Sequence, residues 1–74
     1  MTRHFEFVGG SSAKFWSATV SSTPRVCVIV RYGRIGTDGQ SQTTPFEALD
    51  AAQKHADRLI AQKLKKGYVE KVLA

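Results

Sequence analysis

The sequence predicts an α+β fold, a small antiparallel sheet of about four strands packed against one C-terminal amphipathic helix. Three observations lead there. The chain has 74 residues, enough for a single domain spanning residues 1–74 and one small core. Turn residues interrupt the first two-thirds at short intervals, with apolar residues alternating between them. Near Thr44 the apolar period then switches from two to about 3.6, the period of a helix.

The elements follow in order. His4 to Val8 reads as a strand with Phe5 and Phe7 on one face. After the Gly9-Gly10-Ser11-Ser12 break, Lys14 to Val20 puts Trp16, Ala18 and Val20 on one side and Ser17 and Thr19 on the other. Ser21-Ser22-Thr23-Pro24 ends that strand. Arg25 to Tyr32 is the most apolar stretch, greasy on both faces, which predicts a central strand covered on both sides. Asp38-Gly39 is a hairpin signal, returning the chain through a polar strand from Gln40 to Thr43. Thr44-Pro45-Phe46-Glu47 predicts a helix start, with Thr44 as the cap, Pro45 at the first helical position and Glu47 completing a capping box. Phe46, Leu49, Ala52, Ala56, Leu59, Ile60 and Leu64 form the apolar stripe of a helix running to Lys66. Gly67 stops it, and Tyr68-Val69-Glu70 is a short segment able to dock as a return.

Charge narrows the function. Eleven Lys and Arg against six Asp and Glu leave a net +5, of which residues 1–36 carry +4. Such a balance suits an anionic partner, nucleic acid ahead of a membrane surface, although a basic surface also serves solubility. Other chemistries find little support. Cys27 lies within Val26-Cys27-Val28-Ile29-Val30, the setting of a small core hydrophobe, and one cysteine builds neither a disulfide nor a zinc site. His4 and His55 lack metal-ligand spacing, and Glu6 with Asp38 is not placed in any pocket. The expectation is a non-enzyme with no cofactor, no metal and no small-molecule substrate. The chain lacks a membrane-length apolar run and a signal-like N-terminus, so the expected location is the cytoplasm.

The densest cluster of unusual residues is Arg31-Tyr32-Gly33-Arg34-Ile35-Gly36-Thr37-Asp38-Gly39. Two arginines flank an aromatic ring at a strand end, and glycines recur every third residue. Arginine offers a fork for phosphate and tyrosine a face for sugar or base, a combination suited to a nucleic-acid backbone. The plainer reading is a glycine-rich hairpin whose arginines are solvated. The glycine spacing matches neither a dinucleotide fingerprint nor a Walker loop, and it leads into a strand. Gly33-Arg34-Ile35-Gly36 fits the KH loop pattern, but that loop joins two helices and this one follows a β run.

The stretch Tyr32-Gly33-Arg34-Ile35-Gly36-Thr37, then Gly39-Gln40, resembles the signature of the WGR domain, named for its Trp-Gly-Arg triplet. Phe46-Glu47-Ala48, Lys63-Leu64-Lys65-Lys66-Gly67-Tyr68 and Lys14-Phe15-Trp16 extend the resemblance over nearly the whole chain. Such domains occur in DNA-damage-responsive poly(ADP-ribose) polymerases and in small bacterial proteins. The resemblance implies a sheet-and-helix domain at a DNA end, where the triplet's Trp packs on backbone sugar and its Arg contacts DNA or neighbouring domains. Carried over, Tyr32 takes the Trp position, Gly33 the Gly and Arg34 the Arg. Tyr32 is the departure, since it offers a smaller ring and no indole N–H.

The expected function is therefore nucleic-acid binding, at DNA ends or nicks. The expected contacts are Tyr32, Gly33, Arg34 and Arg31, with Lys63, Lys65 and Lys66 as further phosphate contacts. The alternative is a protein-interaction module using the same surface. Tyr32 is expected to be exposed, and Leu59 to be buried against the sheet.

Overall fold

The computed structural model describes residues 2–71. Five strands and one helix follow in the order β1 (Thr2–Gly9), β2 (Ser12–Ser21), β3 (Cys27–Arg34), β4 (Gln40–Pro45), α1 (Leu49–Lys65) and β5 (Val69–Lys71). All pairings are antiparallel, and the strands lie side by side in the order β4-β3-β2-β1-β5. The segment after the helix docks along β1 as the fifth strand, the short return that the sequence allows beside its four. Among the described residues, no helix is long and apolar enough to cross a membrane.

Alternation decides what each face carries. In register, Phe5 stands beside Trp16, Trp16 beside Tyr32, and Ala18 beside Val30, so these side chains share the face that meets α1. Phe5, Trp16 and Ala18 pack with Ile60, while Val28 packs with Ala52 and Ala56. Two alanines on the helix let it sit close to Val28, and both are essentially fully buried. The opposite face carries His4, Glu6, Phe15, Ser17, Ile29 and Arg31, and among the described residues no second helix lies over it.

Three expectations are corrected. Strand β3 is neither central nor covered on both sides: β2 is the middle strand, and a single helix covers only one face of the sheet. Cys27 and Ile29, on the other face of β3, are accordingly half-buried. The apolar stripe of the helix is also shorter than its periodicity suggests. Ala52, Ala56 and Ile60 are buried and Leu59 is half-buried, whereas Leu49 and Leu64 at the two ends are about half exposed.

The third correction concerns the helix start. Thr44 pairs with Val28 and Pro45 with Cys27, and Phe46 N–H donates to the Val26 carbonyl at 3.0 Å. Strand pairing therefore runs through the residues that spell a capping box. An edge strand tolerates proline, whose missing N–H removes only one ladder bond. The helix begins later, from an extended Ala48 without a side-chain cap, and Asp50 accepts from the Ala51 N–H at 3.0 Å. Asp50 also places a negative charge in the first turn, where the helix dipole favours it. The C-terminus matches the expectation: Tyr68 N–H donates to the Lys63 carbonyl and Gly67 N–H to that of Leu64, the Schellman arrangement.

Two consequences are measurable. Ile60→Ala should cost about 2–5 kcal/mol in urea unfolding, and Leu64→Ala, half exposed, less than about 1 kcal/mol. Equal losses would place the core elsewhere along the helix. The second concerns β5, which Arg3 clasps by donating from Nε and Nη2 to Glu70 at 2.8 and 2.7 Å. The Arg3 hydrogen bond holds the Glu70 carboxyl below its ordinary range. A carboxylate with a depressed folded pKa stabilises the fold above its unfolded pKa, and that contribution disappears as pH falls through the folded value. The Arg3 Nε–H and Val69 amide shifts should therefore move together on acidification below the ordinary carboxylate range. In Glu70→Gln that joint transition should vanish.

Candidate nucleic-acid interface

The Tyr-Gly-Arg triplet ends β3, and the hairpin that follows explains its glycines. The Thr37 N–H donates to the Arg34 carbonyl at 3.1 Å, closing a turn with Gly36 at φ +95° in its third position. The chain then folds back over the uncovered sheet face. Gly39, at φ +69°, lies so close to Phe15 and the Tyr32 carbonyl that any Cβ there would collide with both. A Cβ on Gly33 would stand 2.7 Å from the Cα of Gly39. These two glycines thus pack backbone against backbone and leave Phe15 9% exposed beneath the loop. Arg31 fastens the loop by donating from Nε and Nη2 to the Asp38 carbonyl, at 3.2 and 2.6 Å.

Alternation separates the expected contact residues. Tyr32 and Arg34 point to the helix side, and Arg31, one residue away from Tyr32, projects from the opposite face. Gly33 serves the hairpin contact described above. Tyr32 is half-buried, with its ring against the Phe5–Trp16 cluster and its hydroxyl donating to Gln40 Oε1 at 3.2 Å. The expectation of an exposed tyrosine is corrected accordingly: the residue continues the inward alternation of Val28 and Val30, so its inner edge joins the core.

On the helix side the strand ends and the helix C-terminus meet. Lys14 stands directly opposite Arg34 across the β2–β3 pair, and its Nζ lies 5.8 Å from the centre of the Phe7 ring. Lys63 Nζ is 5.6 Å from the Trp16 ring and 5.4 Å from that of Tyr68. Phe7 and Tyr68 themselves pack at 5.6 Å. Burial among these rings lowers the Lys63 pKa, and the positive charges of Lys66 and Lys14 lower it further. An open groove of about 440 Å3 runs beside this cluster, lined by Ser12, Lys14, Tyr32 and Arg34 among others. Lys65 is exposed on the last helical turn.

The structure therefore brings together Tyr32, Arg34, Lys63 and Lys66, and adds Lys14, Phe7 and Tyr68, which sequence reasoning did not place in the site. Only the β2–β3 register puts Lys14 opposite Arg34, and the lengths of the turns do not reveal that register.

A five-stranded antiparallel sheet with one C-terminal helix, carrying basic and aromatic residues where strand ends meet the helix end, defines a small α+β domain. The chain belongs to the WGR domain family, whose model matches residues 1–74. It is 40% identical over 68 residues to Protein YehF of Escherichia coli K12, covering 92% of this chain and 24% of that protein. It is 36% identical over 70 residues to the uncharacterized protein YfeS of the same organism, covering 95% of this chain and 28% of that one. A crystal structure of a Bacteroides fragilis protein superposes with a TM-score of 0.89 at 50% identity, covering 97% of this chain and 20% of that one. The chain thus spans between about a fifth and somewhat over a quarter of the length of these relatives.

The glycine contacts yield a prediction. Gly39→Ala must move the Tyr32 backbone or the Phe15 ring and hold a strained φ, and should cost about 3 kcal/mol or more. Gly36→Ala meets open space and should cost only the conformational strain, about 1–2 kcal/mol. Thermal melts of the two variants order them, and a milder Gly39→Ala would mean that the loop does not rest on Phe15.

Proposed function

We propose that this domain is a nucleic-acid-binding module, acting by binding rather than catalysis, with duplex DNA ends or nicks as its ligand. The observation that carries this reading is the cluster of like charges at one end of the helix face. Lys63 is pushed toward deprotonation by its surroundings, and its two influential charged neighbours, Lys66 and Lys14, are both cations. Arg34 adds a fourth cation directly opposite Lys14. A phosphate placed among these groups neutralises their repulsion and releases counterions, so the same arrangement that strains the unbound domain favours a polyanion.

The aromatic residues fit the same ligand. The Phe7 ring faces the Lys14 ammonium, and the Trp16 and Tyr68 rings face that of Lys63, which limits the freedom those side chains lose on binding. The outer part of the Tyr32 ring remains accessible for a sugar or base, where the family triplet carries its Trp. Membership of the WGR family supports the assignment, since that domain accompanies DNA-damage-responsive polymerases.

Fluorescence anisotropy on a labelled nicked duplex at several salt concentrations tests this reading. Lys14→Ala, Arg34→Ala and Lys63→Ala should each weaken binding and flatten the log–log salt slope by about one unit. Tyr32→Ala should lose about 1–3 kcal/mol of binding together with some fold stability, because its ring also packs on the core. Tyr32→Phe keeps the ring and should bind like the parent. Affinity that is independent of salt, or unchanged in all three cationic variants, overturns the assignment in favour of a protein partner on this surface.

A further inference from the structure

The sheet face turned away from the helix also has the features of a site, and they differ from those of the helix side. A transverse row runs across it: Ser41, Arg31, Ser17, His4 and Lys71 are register neighbours on successive strands. The row holds two permanent cations and an imidazole, and no carboxylate. Glu6 lies one row away and is engaged with His4, its Oε2 being 3.3 Å from His4 Nε2. Between the row and the hairpin loop opens a cleft of about 260 Å3, with Phe15 and Ser17 in its floor and Arg31, His4, Ile35 and the His4-engaged Glu6 among its walls.

Apolar side chains stand at both ends of this row. Val8 is 74% exposed and Val69 57%, and both point to this face at the β1–β5 end, whereas Ile35 is 37% exposed on the loop at the other end. Size then limits the occupant. Pockets that enclose a cofactor or drug-sized ligand start at about 300 Å3, and this open cleft falls short of that while still admitting one large side chain. A cleft of that size, set beside a row of cations and flanked by separated apolar contacts, matches the anatomy of a polypeptide interface with one anchor.

We propose that the uncovered sheet face docks an acidic polypeptide segment that inserts one large apolar side chain into the cleft between the hairpin loop and β1. Carboxylates on either side of the anchor meet Arg31 and Lys71, and further apolar side chains cover Val8 and Val69. The complementary charge sets orientation and association rate, and the anchor sets residence time. Arg31 is suited to this role because its two bonds to the Asp38 carbonyl fix the guanidinium plane before any partner arrives. The face is independent of the nucleic-acid assignment, so both partners can bind at once.

The probe is a synthetic peptide with one Phe between runs of Asp and Glu, followed by amide and methyl chemical shifts of the labelled domain. Shifts should be confined to His4, Ser17, Arg31, Ile35, Val8 and Val69. Replacing the peptide's Phe by Ala, or its acids by Lys, should weaken binding by about tenfold or more. In the domain, Lys71→Glu should do the same, and Ser17→Phe should block the cleft. Lys71 is exposed at a sheet edge, so its variant stays informative if Ser17→Phe fails to fold. The proposal is overturned by shifts that fall on Lys14, Tyr32 and Lys63, by equal binding of the Lys peptide, or by no shifts up to about 1 mM peptide.

Discussion

One helix lies on a five-stranded sheet, and the close seat of Ala52 and Ala56 on Val28 determines how it lies there. Small side chains at these positions draw the helix onto β3 and β2, and Ile60 then reaches the Phe5–Trp16–Ala18 cluster. Because the helix axis is fixed by these contacts, its last turn ends above the Trp16 and Tyr68 rings, and Lys63 is held over both. The site on the helix side is therefore a result of core packing. Replacing either alanine by a bulkier residue would lift the helix and disperse the cations without touching any of them.

The same seat leaves the other sheet face without cover, and the hairpin answers part of that deficit. Phe15 points to the uncovered face and would be exposed there, yet only 9% of it is accessible. The loop from Ile35 to Gly39 closes over it, possible because Gly33 and Gly39 lack side chains where the backbones meet. The glycines of the triplet region are thus explained by burial of an aromatic ring. Their spacing is three because the loop must turn at Gly36 before Gly39 can reach the Tyr32 carbonyl.

How much of this was legible beforehand depended on whether the deciding interaction is local. The alternation of Phe5 and Phe7, and of Trp16, Ala18 and Val20, placed the right residues on one face because period two is a property of the strand alone. Gly67 ended the helix for an equally local reason. Thr44-Pro45-Phe46-Glu47 misled because the local capping signal competes with ladder pairing to β3, and pairing prevailed. Leu49 and Leu64 misled because periodicity reports which way a side chain points, but not whether anything lies beneath it. The candidate site was half legible. Tyr32 and Arg34 are marked by the triplet, but Arg31 belongs to the other face by simple alternation, and Lys14 enters only through the strand register.

Lys63 links these levels. Its ammonium lies over the Trp16 and Tyr68 rings and gathers with Lys14 and Lys66 at the helix terminus. A lysine at that end is favoured by the helix dipole and by the ring faces, and disfavoured by burial and by its like-charged neighbours. Burial and the charges of Lys66 and Lys14 lower its pKa in the unbound domain. A group kept in a position that costs its charged form something must be held there by the packing around it, here by Trp16 and Tyr68. Any anion that approaches the cluster relieves the part of the cost that arises from Lys14 and Lys66, and leaves the core contacts as they are. The ring contacts and an incoming anion thus act on one ammonium group, so the position set by the core packing is also the one left electrostatically unsatisfied.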